Sequence, residues 1–213
     1  MTSLNIIHDL PIKDIYDKIA PHFNNTRQSI WNVVKKFIDA LEPSAYVIEL
    51  GCGNGKNMLY RKNMNFIGMD ISSAQVRICK DKGLNVEEGT ITSLKYHDNT
   101  FDYMICVATY HHLDNDDDRY LALHEMYRCL KSVGQILITV WAMEQDEDSH
   151  FRFTKTDELV PWRSKIDGCT YLRYYHIYRK GELLDEIQRL CPLFKIVSHT
   201  WDQGNWNIIL EKP

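Results

Sequence analysis

No run of this chain approaches the ~18 consecutive apolar residues that a membrane-spanning helix needs, so no span is expected. Its first residues, MTSLNIIHDLPIKD, lack the basic-then-apolar order of a secretory leader. The six cysteines (Cys52, Cys79, Cys106, Cys129, Cys169, Cys191) stand singly, with no C-x-x-C pair. That spacing argues against a metal site or a disulfide framework and for reduced thiols in a cytoplasmic protein. There is no internal repeat and no low-complexity tract. A net charge of −4 disfavours a simple nucleic-acid binder, whose surface would be basic throughout. Glycine is sparse as well, at ten residues, yet three of the ten fall together at Gly51, Gly53 and Gly55.

What is present fits a globular protein. The chain is 44% apolar and 25% charged over 213 residues, enough for one domain, residues 1–213, with a sizeable core. Charge is uneven. Residues 150–180 carry seven cations against three anions, and the remainder is at −8, so an anionic partner is expected to meet that segment.

Strand-like and helix-like stretches alternate. Residues 12–20 read as a helix ended by Pro21, and 28–41 as a second helix with Ile30, Trp31, Val34, Phe37, Ile38 and Leu41 on one stripe. Short apolar runs at 46–50, 65–70, 84–88, 101–107 and 135–141 read as strands. Helices are expected at 54–61, 73–82, 116–131 and 180–190, and two final strands at 193–201 and 205–212. This alternation predicts a mostly parallel sheet with right-handed crossovers, whose ligand sits beyond the carboxyl ends of the strands. Residues 144–178, polar and then aromatic and basic, interrupt the rhythm as an insertion. Asp114 and Asp116–Asp118 open a helix, and capping explains them better than metal binding does.

The run Val47-Ile48-Glu49-Leu50-Gly51-Cys52-Gly53-Asn54-Gly55-Lys56 ends a strand in a glycine turn. A dinucleotide fingerprint G-x-G-x-x-G would place its third glycine at Lys56, so that reading fails. The pattern E-x-G-x-G-x-G resembles the first motif of class I S-adenosylmethionine methyltransferases. The next strand ends in Asp70, an acid placed to accept both hydroxyls of a ribose, with Ser72 free to cap the following helix.

Further segments carry a narrower resemblance: Tyr16–Phe23 with Thr26, Arg27 and Trp31; Glu49–Lys56; Asp98–Asp102; Ala108–His112; Val140–Gln145; Leu159–Trp162; Arg173–His176; and Gly181–Leu183. Together they resemble the eukaryotic wobble-uridine tRNA methyltransferases, from about residue 14 onward. The resemblance implies an α/β, Rossmann-like fold: a seven-stranded, mostly parallel sheet with an antiparallel last strand and helices on both faces. It implies methyl transfer from S-adenosylmethionine to the carboxylate of 5-carboxymethyluridine in the tRNA anticodon loop, giving the methyl ester. It also implies a small zinc-binding activator subunit, expected to pair with edge strand 84–88 in a heterodimer.

On this reading Tyr16 and Arg27 meet the cofactor's carboxylate, and Glu49 balances its ammonium or orders the glycine loop. Gly51, Gly53 and Gly55 admit its methionine portion, Asp70 its ribose, Thr90 and Ile91 meet its adenine, and Ile71 and Val107 are further cofactor contacts. Thr90 stands where relatives usually carry an acid, so the backbone at Ile91 is expected to substitute in adenine reading. His111, His112 and Arg27 are the expected catalytic residues, with His112 preferred of the two histidines. Arg152, Trp162, Arg163, Arg173, Tyr174, Tyr175 and His176 are expected to hold the RNA. A carboxylate with a pKa of ~4 is ionised at neutral pH and needs no general base. The open alternatives are a small-molecule carboxyl or quinone methyltransferase, and a catalytically silent binding protein on the same fold.

Overall fold

A computed structural model describes residues 6–8 and 10–213; of the N-terminal stretch read for a leader, residues 1–5 and Asp9 lie outside the described residues. The elements in order are β1 (Ile6–Ile7), α1 (Ile12–Thr26), α2 (Asn32–Asp39), β2 (Tyr46–Leu50), α3 (Lys56–Tyr60), β3 (Asn65–Asp70), α4 (Ser73–Asp81), β4 (Val86–Glu88), β5 (Phe101–Val107), a 3-10 turn (Tyr110–His112), α5 (Asp116–Cys129), β6 (Leu130–Trp141), β7 (Asp157–Arg163), β8 (Thr170–His176), α6 (Glu182–Leu190), β9 (Lys195–Asp202) and β10 (Asn205–Glu211). Among the described residues no helix is long and apolar enough to cross a membrane.

Seven strands form one sheet in the order β4-β3-β2-β5-β6-β10-β9. β2 to β6 pair in parallel, and β10 runs antiparallel to both β6 and β9. Strand alternation sends Ile48, Leu50, Met104 and Ile138 to a core shared with α5 and α6. It sends Val47, Ile105 and Leu137 to a second core against Val34, Phe37 and Ile38 of α2. Each such buried aliphatic side chain contributes about 1.5–3 kcal/mol.

Three local expectations change. Pro21 does not end α1, which continues to Thr26. Its buried stripe of Ile15 and Ile19, with Phe23 beyond Pro21, packs against Trp162 and Tyr171, and that packing outweighs the missing N–H. The second helix starts only at Asn32, because Trp31 is extended and turns into the cavity described below. Edge strand β4 is confined to Val86–Glu88.

The insertion folds into its own layer. β7 and β8 form an antiparallel hairpin, and β1 pairs in parallel with β8, giving a three-stranded sheet β1-β8-β7. Pro161 is tolerated because β7 is an edge strand. α1 contacts both this sheet and α4. At the α4 end, Asp17 Oδ1 accepts from Ala74 N–H (3.0 Å) and Ser72 O–H (2.7 Å), which fixes α1 beside the loop after β3.

Candidate active site

A cavity opens at the carboxyl ends of β2, β3 and β5, between α1 and the β8 strand. The expected cofactor residues Tyr16, Arg27, Glu49, Gly51, Gly53, Asp70, Ile71, Thr90, Ile91 and Val107 all line it, and Gly55 lies just behind. Of the other expected residues, His112, Arg173 and Tyr175 also reach it.

The glycine turn hangs on β3: the Gly51 and Cys52 N–H groups both donate to the Met69 carbonyl, at 2.7 and 2.9 Å. Gly51 has φ +71°, and a Cβ there would lie 2.1 Å from Thr109 Oγ1. Gly55 has φ +73°, with Leu84 Cδ1 2.3 Å from the position of a Cβ. Both positions therefore require glycine.

Two acids close this end. Asp70 accepts from Gly53 N–H through Oδ2 (2.8 Å) and from Ser72 N–H through Oδ1 (2.9 Å), while Ser72 Oγ caps α4. Each oxygen keeps a lone pair for a further donor. Burial pushes the Asp70 carboxyl up to about 6, against those two N–H bonds. Glu49 is buried; its Oε1 accepts from Asn57 Nδ2 (2.6 Å) and its Oε2 has no partner among the described residues. Burial pushes Glu49 up to about 8. An orphaned buried carboxyl oxygen and a diol-competent aspartate fit a ligand carrying an ammonium and a ribose. Thr90 Oγ1 lies 2.9 Å from Thr92 Oγ1, so its hydroxyl is already engaged locally.

Lys56, Arg27 and Arg173 also line the cavity, and the two arginines share one aromatic face. Arg173 is buried (5% exposed) and donates to the Tyr175 hydroxyl at 2.6 Å. Its guanidinium lies 5.0 Å from the centre of the Trp162 ring and 5.1 Å from that of Tyr175. Its Nε has no partner, and no carboxylate pairs with it among the described residues. Arg27 stacks on the same indole at 4.9 Å and likewise has no acid partner among the described residues. Burial, and then the nearby Arg173, lower the Arg27 pKa. Two cations on one indole, without a counter-ion, make a receptor for an anion.

His112 has a defined tautomer. Nδ1 lies 2.7 Å from the Tyr174 carbonyl and must donate to it, so Nε2 accepts from the Tyr16 hydroxyl at 2.9 Å. Burial, with Arg173 nearby, lowers its pKa to about 3, and it is neutral. His111 does not reach the cavity. It is fully buried behind it, accepts from Trp141 N–H at 3.1 Å, and is held far below the usual imidazole range by burial.

Five expected RNA contacts do not line the cavity. Side chains on β8 alternate, so Arg173 and Tyr175 face inward while Tyr174 and His176 turn to Asp157, at 2.5 and 3.0 Å. His176 also reaches Glu182 at 3.1 Å. Arg163 is exposed on the outer face of β7. Arg152 folds back on its own loop, donating to the carbonyls of Glu147, Ser149 and Phe151 at 2.6–2.7 Å. Trp162 is buried beneath the two arginines rather than lining the cavity. The segment Trp141–Gln145 divides its work. Trp141 lines the cavity, whereas Glu144 accepts from Trp206 Nε1 and Gln145 donates to the Ala142 and Gly204 carbonyls, bracing the β9–β10 turn. Phe23 and Thr109 also line the cavity; both lie in segments that carry the family resemblance, but neither was given a role from the sequence, as Tyr16 and His112 were. Among the described residues no cluster of three or more His, Cys, Asp or Glu side chains is arranged for a metal.

The sheet order and the cavity at its strand ends define a class I methyltransferase fold, and a methyltransferase-domain family model matches residues 48–138. A chain from a solved complex between a methyltransferase and the Trm112 methyltransferase activator of Haloferax volcanii superposes with a TM-score of 0.69 at 16% identity, covering 95% of this chain and 98% of that one. The tRNA (carboxymethyluridine(34)-5-O)-methyltransferase of Schizosaccharomyces pombe is 33% identical over 94% of this chain and 96% of its own length. The Xenopus tropicalis tRNA (carboxymethyluridine(34)-5-O)-methyltransferase alkbh8 is 30% identical over 94% of this chain, which spans 40% of that longer relative. The chain belongs to the tRNA (carboxymethyluridine(34)-5-O)-methyltransferase family.

Proposed function

We propose that this chain methylates the carboxylate of 5-carboxymethyluridine at the wobble position of tRNA. One observation carries the substrate chemistry: Arg173 and Arg27 line the cavity and stand over Trp162 without an acid partner among the described residues. S-adenosylmethionine, when bound, supplies an electrophilic methyl on a sulfonium. Glu49 holds the ammonium, Asp70 the ribose diol, and Ile71, Thr90, Ile91 and Val107 the adenine. Tyr16 and Arg27 take the cofactor's carboxylate, and Arg173 with Tyr175 takes the substrate's.

A carboxylate nucleophile is already ionised, so a neutral His112 abstracts no proton. It anchors the Tyr16 hydroxyl instead, and the Tyr174 carbonyl anchors His112. Alignment and exclusion of water supply the rate. The layer formed from residues 144–178 is the substrate side of a single domain. Six thiols without a disulfide fit a reducing cytoplasm. A zinc-binding activator docks on the edge of β4, which among the described residues pairs only with β3. Slowed deuterium uptake at Val86–Glu88 on adding an activator tests that contact. For the activity, tRNA lacking only this methyl is incubated with the chain, an activator and labelled cofactor. Nucleoside mass spectrometry is expected to find the methyl ester, and its absence, or transfer to small carboxylic acids alone, sinks the reading.

A further inference from the structure

An aromatic series leads out of the cavity and ends at the surface. Tyr175 and Trp141 line the cavity wall and stack at 4.4 Å with an interplanar angle of 21°. Phe151 lies against Trp141 at 4.8 Å, and Phe153 stacks on Phe151 at 5.7 Å and 10°. The two phenylalanines differ in employment. Phe153 packs against the buried cluster of Val160, Tyr175 and Ile177, whereas Phe151 stays 41% exposed. The loop carrying Phe151 is held in shape by Arg152, whose guanidinium gathers three of its carbonyls. That guanidinium is committed to the loop, which explains why this cation does not reach the cavity.

We propose that Phe151, backed by Trp141, is a stacking platform for the base of a nucleotide flanking the one methylated; this rests on the wobble-uridine reading above. A group reacting inside the cavity drags its neighbours in the strand past the cavity rim, where Phe151 stands. Anticodon-loop bases are unpaired, and single-stranded bases are held by stacking on aromatic faces. The contact is to a base and not to phosphate, because the same loop presents the exposed acids Asp146, Glu147 and Asp148. Phe151 therefore contributes affinity without counter-ion release.

The test uses the full chain and an anticodon stem-loop bearing 5-carboxymethyluridine, reading both RNA affinity and methyl transfer. Phe151→Ala is expected to weaken the RNA Kd and raise the RNA KM about tenfold, within the range for one stacked base, with cofactor affinity and the salt slope unchanged. Phe151→Trp restores binding and Phe151→Leu does not. Replacing one of the two flanking nucleotides by an abasic one costs wild type the same factor and costs Phe151→Ala nothing. Equal losses in both proteins, rescue by leucine, or RNA affinity within twofold of wild type in Phe151→Ala overturns the platform. Methyl transfer with Phe151-independent KM removes the platform alone. Phe151-dependent RNA binding without any methyl transfer removes the wobble-uridine reading and leaves the platform standing.

Discussion

Replacing Arg173 by methionine should leave the protein at least as stable while removing most of its activity. Burying a guanidinium costs several kcal/mol in lost hydration. The fold returns one hydrogen bond, to the Tyr175 hydroxyl at 2.6 Å, worth about 1.5–3 kcal/mol for a charged donor. It also returns contacts with the Trp162 and Tyr175 rings at 5.0 and 5.1 Å, each worth about 0.5–2 kcal/mol. These terms roughly cancel the desolvation, and Nε remains unpaired among the described residues. Methionine fills similar space without a charge, so the expected change in unfolding free energy lies between zero and a gain of about 2 kcal/mol.

Function should move the other way. A charge-assisted bond to the substrate carboxylate is worth about 1.5–3 kcal/mol, so kcat/KM for the stem-loop should fall by roughly 10- to 150-fold. Affinity for S-adenosylmethionine should hold, since Arg27 faces that carboxylate. Urea unfolding gives the first quantity, a filter assay with labelled cofactor the second, and calorimetry the third. A variant that unfolds more than about 2 kcal/mol more easily would show that Arg173 is a structural group. One that keeps kcat/KM within threefold would remove it from the substrate site.

Asp70→Ala should weaken cofactor binding at least tenfold, about 1.4 kcal/mol, because it removes the diol acceptor and releases the Gly53 N–H; unchanged calorimetric affinity refutes the ribose role. Glu49 in the fold titrates at about 8 rather than its ordinary 4.5, so between those values the folded chain holds a proton that the unfolded chain has lost. Its contribution to stability is intact below pH 4.5 and is lost as pH rises to 8 without ligand. Glu49→Gln should flatten that decline in denaturant melts across pH 5–8, and an undiminished slope in the variant sinks the assignment. Binding the ammonium should expel this proton, so cofactor affinity rises from pH 6 to 8 with proton release measurable in buffers of different ionisation enthalpy. Because His112 titrates near 3, the pH profile of kcat/KM should show no imidazole limb between pH 5 and 7. A limb near 6.5 that disappears in His112→Asn would contradict the neutral assignment.

The frame was legible because buried parallel strands announce themselves. The runs 46–50, 65–70 and 101–107 coincide with β2, β3 and β5, and each ends in a residue of the cavity or next to one. The cofactor half of the site was legible for the same reason: strand ends converge, so Gly51, Asp70, Thr90 and Val107 meet. The substrate half was harder to read. Arg173 sits at an inward position of β8, where a period-2 pattern calls for an apolar residue, and Pro161 interrupts β7, so the hairpin did not declare itself. Without the hairpin the alternation could not be assigned, and Tyr174 and His176 could not be separated from Arg173 and Tyr175. Arg152 was counted among RNA contacts by charge, but its partners are backbone carbonyls, which leave no trace in sequence.

The cavity keeps its charges apart in a way that stability alone would not select. Among the described residues, buried Glu49 has an oxygen without a partner, buried Arg173 has a nitrogen without one, and the two line one cavity without pairing. A fold optimised for itself would join them or replace both with apolar groups. Held apart, they polarise the space. On the reading proposed above, Glu49 and Asp70 would accept an ammonium and a diol, and Arg27 and Arg173 would accept carboxylates. A ligand bearing an ammonium, a ribose and a carboxylate satisfies both pairs at once and leaves one arginine over. That surplus cation is what a second anion, the substrate carboxylate, would meet. A second carboxylate is thus the ligand expected to meet that arginine, which is why ester formation, rather than transfer to a neutral amine or hydroxyl, is the reaction proposed for this site.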